Sequence, residues 1–80
     1  MRVDKFLKVS RLIKRRTVAK EACEKDRIMI NGKTAKAGSE VKAGDILEIH
    51  FGNNSLSAKV LKIVDSSRKE DAETMYEIIT

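Results

Sequence analysis

The side chains with chemistry to offer are crowded into the first quarter of the chain. Residues 1–20 hold eight cations, Arg2, Lys5, Lys8, Arg11, Lys14, Arg15, Arg16 and Lys20, against a single acid, Asp4, a local charge of +7. Residues 21–80 hold nine basic and eleven acidic groups, or −2, so the whole excess behind the formal +5 lies at the N-terminus. A solvated surface helix would interleave acids with the bases. Their absence here makes an electrostatic footprint for a polyanion. Lys14-Arg15-Arg16 is the most informative part. It precedes Thr17, the expected N-cap of a helix, and so sets cations where the aligned peptide dipoles already place positive charge. A purely structural sequence puts acids there, whereas free N–H groups, a helix dipole and flanking guanidinium groups together make a phosphate site. Arg2, Lys5 and Lys8 share one face of a preceding helix. Lys33 and Lys36 either extend the patch or are ordinary loop lysines.

Other chemistries are poorly supplied. Cys23 is the sole cysteine and His50 the sole histidine, so neither an internal disulfide nor a structural zinc site can form. Cys23 falls on an apolar stripe and reads as a packed thiol; His50, beside Glu48 on a strand, reads as a surface histidine. No nucleophile–base–orienter set is evident, and no glycine-rich phosphate loop is present. The expectation is no catalytic residue, no metal and no cofactor. No apolar run exceeds four residues, too short for a membrane span or a signal peptide, so a cytoplasmic protein without a membrane partner is expected. Among polyanions, base-reading DNA binders place Asn or Gln along a recognition helix, and the second helix here has neither. The scarcity of aromatics argues against a base-stacking single-strand binder. RNA recognised by shape and backbone fits best, with a dimeric DNA-binding regulator as an alternative.

These side chains need elements to position them. At 100° per residue, Val3, Phe6 and Leu7 fall on one arc of a helix over residues 3–9, with Arg2, Asp4, Lys5 and Lys8 on the opposite arc. Continuing to Leu12 would put an apolar residue among the charges, so the helix is expected to end near Ser10. A second helix begins at the cap Thr17, with Val18, Ala19, Ala22 and Cys23 as its apolar stripe and Glu21–Lys25 as an outward i,i+4 pair. Arg27 to Ile30 reads as a strand and Asn31-Gly32 as a tight turn. Residues 33–45 are polar and small, with Val41 dipping into the core and Gly44-Asp45 turning. Ile46 to Phe51 is a strand with Leu47, Ile49 and Phe51 on one face. Gly52-Asn53-Asn54 turns again, and Leu56 to Val64 is a further strand. Ser67 and Glu70 have capping-box spacing. They open a last helix whose stripe of Ala72, Met75, Tyr76 and Ile79 covers the sheet or docks a protein partner. The expected fold class is α+β: two N-terminal helices packed on a small antiparallel sheet, with a C-terminal helix, all in one domain.

Arg2-Val3-Asp4-Lys5-Phe6-Leu7-Lys8 through Arg15-Arg16-Thr17 resembles the opening of the S-four RNA-binding domain. Ile28-Met29-Ile30-Asn31-Gly32-Lys33 to Val41-Lys42-Ala43-Gly44-Asp45 resembles that family's strand-turn signature. The likeness covers residues 1–50 and implies the family's αL RNA-binding motif, leaving 51–80 as a C-terminal strand and helix. Most members attach the domain to an enzyme such as a pseudouridine synthase. No catalytic domain follows here, so no enzymatic activity is carried over. Among stand-alone members, Asp4 to Thr17 and the ending around Met75-Tyr76 are most similar to the RqcP-type (YabO) proteins of Firmicutes. That resemblance implies a monomeric factor on large ribosomal subunits that still hold peptidyl-tRNA. Its partners would be large-subunit rRNA, the peptidyl-tRNA and RqcH, and its role C-terminal alanine tailing in ribosome-associated quality control. By position, Arg2, Lys5, Lys8, Arg11, Arg15, Arg16 and Lys20 would face RNA, while Asp4 orients a neighbouring arginine or caps its helix. The alternatives are a heat-shock-type recycling factor for blocked large subunits and an RNA-targeting module related to those of pseudouridine synthases.

Overall fold

A computed structural model of the 80-residue chain describes residues 1–65 and 68–79. Two helices come first, α1 (Val3–Val9) and α2 (Arg16–Glu24). The strands β1 (Ile28–Ile30), β2 (Lys33–Thr34), β3 (Ile46–Phe51) and β4 (Asn54–Val60) follow, then a short helix α3 (Lys69–Glu73) and a last strand β5 (Tyr76–Ile78). The strands form one antiparallel sheet in the order β2-β1-β3-β4-β5. This is the expected α+β class, with one more strand at each edge than the sequence indicated.

Helix α1 spans the expected residues. Val3, Phe6 and Leu7 are fully buried, and Ser10 caps its end. Arg11 then enters the left-handed region at φ 63°, which turns the chain so that the Ile13 N–H reaches the Leu7 carbonyl at 3.0 Å. Asp4 departs from expectation. It does not lie on a solvated arc but is 2 % exposed, because charged partners described below meet it inside the helix pair. Helix α2 is capped two residues earlier than expected. Arg15, in extended conformation, holds the N-cap position with no side-chain hydrogen bond, and Thr17 lies inside the first turn. The Ala19 N–H donates to the Arg15 carbonyl at 3.0 Å, which closes the first turn from that residue. Ala19 and Cys23 are buried against the core, whereas Val18, expected on the same stripe, is 48 % exposed.

Asn31 and Gly32 both take positive φ, 52° and 83°, and close a two-residue hairpin in which Ile30 faces Lys33. This backbone suits the twist of paired strands and favours these two residue types. The polar segment after it pairs briefly as β2. The Asn31 side chain also accepts from the Ile46 N–H at 2.9 Å and donates to Asp45 at 3.0 Å, which pins the hairpin to the start of β3. Leu47 and Ile49 are buried as expected, but Phe51, on the same face, passes the end of the core. The turn after it needs only Gly52 and Asn53, since Phe51 pairs directly with Asn54.

The C-terminal region differs most. Strand β4 ends at Val60 rather than Val64, and the expected long helix is one turn, Lys69–Glu73. Its expected cap, Ser67, lies outside the described residues, and Arg68 holds the N-cap position without a side-chain hydrogen bond. After Thr74 the chain returns along β4, with Val60 facing Tyr76 and Ala58 facing Ile78. Two observations explain the change. Tyr76, Ile78 and Ile79 are strand-forming types, and β4 would otherwise end the sheet with unpaired backbone groups. The stripe therefore splits: Ala72 and Met75 are buried, Tyr76 is half-buried and Ile79 is exposed. Val3, Phe6, Leu7, Ile28, Val41, Leu47, Ile49, Val60 and Met75 belong to one core between the helices and the sheet. Each such aliphatic or aromatic side chain contributes roughly 1.5–3 kcal/mol on burial.

Candidate nucleic-acid interface

The N-terminal cations sort into two clusters and a few diverted members. The first cluster is built around Asp4. Its Oδ1 accepts the Lys5 backbone N–H at 2.8 Å and stands 3.3 Å from Arg2 Nε. Its Oδ2 accepts from Arg2 Nη2 at 3.3 Å and stands 3.5 Å from Arg16 Nε. One carboxylate thus holds a guanidinium from the start of each helix. Asp4 is out of water, while the Arg2 and Arg16 side chains remain 52 % and 48 % exposed. A guanidinium has five N–H donors in a fixed fork, so each arginine is oriented by Asp4 and still offers donors outward. The loop after β2 completes the arrangement. The Val3 N–H donates to the Ser39 carbonyl at 2.8 Å, the Asp4 N–H to the Ala37 carbonyl at 3.3 Å, and the Arg2 guanidinium lies against Gly38.

The second cluster lies at the other end of α1. Lys8, Val9, Arg11 and Lys14 line an open groove of about 570 Å³. The left-handed turn at Arg11 brings the last helical lysine and Lys14 onto the same concavity. Arg15 and Lys20 project from α2, whose first turn carries no acid. Among the described residues, Lys8, Lys14, Arg15, Lys20 and Lys33 stand within ion-pair distance of no carboxylate. Two of the residues singled out from sequence are diverted. Lys5 pairs with Asp65 at 2.9 Å, sixty positions along the chain, and Lys36 stands 3.7 Å from Asp26. Lys33 sits on the exposed edge strand β2, apart from both clusters.

The other reactive side chains are quiet. Cys23 is fully buried, and burial, with smaller contributions from the nearby Asp4 and Glu24 charges, pushes its thiol up to about 11. His50 Nε2 stands 3.4 Å from Glu48 on the same strand. Among the described residues no group of three or more His, Cys, Asp and Glu side chains has the arrangement to hold a metal, and no helix is long and apolar enough to cross a membrane. Sequence reasoning left the role of Asp4 open between orienting and capping. The structure shows both: Asp4 holds Arg2 and Arg16 and also accepts the Lys5 N–H of the first turn of α1. The signal was available: the sole acid among eight cations, two residues from Arg2.

Comparison with known proteins agrees with this geometry. The S4 domain matches residues 1–47. An RQC P-site tRNA stabilizing factor from Streptococcus pneumoniae is 59% identical over 80 residues, covering 100% of this chain and 91% of that protein. The trimeric structure of Vibrio cholerae Heat Shock Protein 15 superposes with a TM-score of 0.89 at 28% identity, covering 99% of this chain and 81% of that one. The solution structure of the hypothetical protein HP1423 superposes with a TM-score of 0.85 at 34% identity, covering 100% and 98%. With more than half of its length matched by the domain and all of it matched by a stabilizing factor, the chain belongs to the S4 domain family.

Proposed function

We propose that the chain is a non-enzymatic RNA-binding factor, one domain over residues 1–80, that grips rRNA and tRNA on stalled large ribosomal subunits. In this reading it steadies peptidyl-tRNA in the P site while C-terminal alanine residues are added in ribosome-associated quality control. The relative from Streptococcus pneumoniae is named for stabilizing P-site tRNA in that process, and the identity spans both chains. The observation that carries the reading is the pair of arginines, one from each helix, held outward by a buried acid. Arginine forks meet phosphate oxygens in a fixed geometry. Because Asp4 has already ordered them, less side-chain freedom is lost on binding. The Lys8–Arg11–Lys14 groove supplies a second grip on backbone, so that two stretches of RNA can be held at once. The RNA-facing set is then Arg2, Arg16, Lys8, Arg11, Lys14, Arg15 and Lys20, with Lys33 at the periphery. Lys5 and Lys36 join it only by leaving their carboxylates. A monomer working in the cytoplasm beside RqcH completes the reading by family likeness. The close superposition on Heat Shock Protein 15 favours one second reading, a recycling factor for blocked large subunits.

Sedimentation tests both. Wild-type protein and the Arg15→Ala/Arg16→Ala variant are pelleted with large subunits carrying peptidyl-tRNA, with empty large subunits, with naked rRNA and with duplex DNA. The wild type is expected to prefer loaded subunits. Its log affinity should fall against log salt with a slope near −4 if about five phosphates are neutralised. Loss of a charge-assisted contact costs about 1–3 kcal/mol, so the variant should bind at least tenfold more weakly. Unchanged binding of the variant would refute the assignment. Equal affinity for naked rRNA would favour an RNA-targeting module, and preference for the duplex a DNA-binding regulator. If alanine tailing in a reconstituted reaction is unaffected by adding the protein while subunit splitting or recycling responds, the second reading holds.

A further inference from the structure

Behind the basic groove lies a second concavity that phosphate contacts leave unused. Leu12, Val18, Ala22 and Phe51, at the end of β3, line it with apolar surface, and Arg27 and His50 are among its polar lining residues. Its volume is about 230 Å³, below the ~300–1,000 Å³ that takes drug-sized ligands. Val18 and Phe51 are 48 % and 49 % exposed, so both leave apolar surface open to a ligand in the cleft. The segment 11–14 separates this cleft from the basic groove: Arg11 and Lys14 line the groove, and Leu12 and Ile13 line the cleft. A backbone lying along the groove therefore has an apolar slot one residue away.

We propose that this cleft receives an unstacked nucleobase of the RNA whose phosphates the neighbouring groove holds. The inference rests on the phosphate-binding reading above and adds a site to it. RNA recognition commonly splays a single base out of its stack onto an aromatic face and bonds its polar edge. Phe51 supplies the face. Arg27 makes no ion pair among the described residues, and it brings a guanidinium donor to the lining of the cleft; His50 is a further polar residue there. The charge around the cleft selects RNA over an apolar protein segment. Lys25 and Arg27 border it, Arg11 and Lys14 stand across the ridge, and its one lining acid, Glu21, is taken by Lys25 at 2.8 Å.

The test compares two eight-nucleotide probes of equal charge, oligoadenylate and an abasic ribose-phosphate chain, at low salt. Base–aromatic stacking supports a preference of roughly 5- to 100-fold for the oligoadenylate. Phe51→Ala should abolish that preference and leave abasic binding unchanged, while Phe51→Tyr keeps it. Phe51→Leu, which retains apolar volume without an aromatic face, should behave as the alanine variant does, and far-UV circular dichroism checks that each variant is folded. Equal wild-type affinity for the two probes would overturn the base site and leave the phosphate reading standing. Binding to neither probe would overturn both. An equal drop for both probes in a folded Phe51→Leu protein would also overturn the base site.

Discussion

Asp4 places a negative charge among the cations of the proposed RNA-binding surface. Considered only as a charge, it opposes binding. Considered as a ligand for two guanidinium groups, it promotes binding, because arginines ordered beforehand lose less freedom on contact. The two effects have opposite signs in one variant. Asp4→Asn keeps the side chain's shape and raises the net charge by one, yet it removes the ionic hold on Arg2 and Arg16. We expect RNA affinity to fall, together with a stability loss of about 1–3 kcal/mol for a buried hydrogen-bonded group that loses its charge. Fluorescence anisotropy with labelled rRNA and a thermal melt measure the two quantities. Tighter binding would show that Asp4 merely opposes phosphate.

At the level of elements, the site is a joint between two short helices that are too brief to be stable alone. They are held by the sheet beneath and by the loop that follows β2. Asn31 is the fastener for that loop. It occupies a left-handed backbone and bridges the hairpin to Asp45 and Ile46. Asn31→Ala combines a strained φ with loss of both bonds and should cost about 2–4 kcal/mol in chemical denaturation. Gly32→Ala, with open space around the added Cβ, should cost only the conformational part, about 1–2 kcal/mol. A larger loss at Gly32 would show that the bridge contributes little. The hairpin, both helices and the inward faces of β3 were legible in the sequence, because each rests on local signals: turn residues with positive φ, and apolar residues at helical or alternating spacing. The C-terminal end was not. Ala72, Met75, Tyr76 and Ile79 fit a helical period, but the open edge of β4 is a tertiary feature, and it drew Tyr76–Ile78 into the sheet. The site residues divide in the same way. The cationic run was plain in the sequence, while the pairing of Lys5 with Asp65 and of Lys36 with Asp26 depends on chain segments brought together only by folding.

Across the whole molecule, positive charge gathers over a small, mostly aliphatic core that includes the buried thiol of Cys23. Its thiol titrates near 11 in the folded protein against an ordinary 9.0. The unfolded chain therefore ionises first. The stability this thiol lends is complete below about pH 9 and is lost as pH rises toward 11. Cys23→Ala lacks this titration. Denaturation at a series of pH values should show the wild type losing ground to the variant across that interval, and a constant difference would contradict it. Arg11 carries a different tension. It lines the groove with a backbone angle that glycine adopts at no cost and an arginine only with strain. Glycine at position 11 would ease that angle and take a cation out of the groove, so the turn and the charge it carries make opposite demands on one residue.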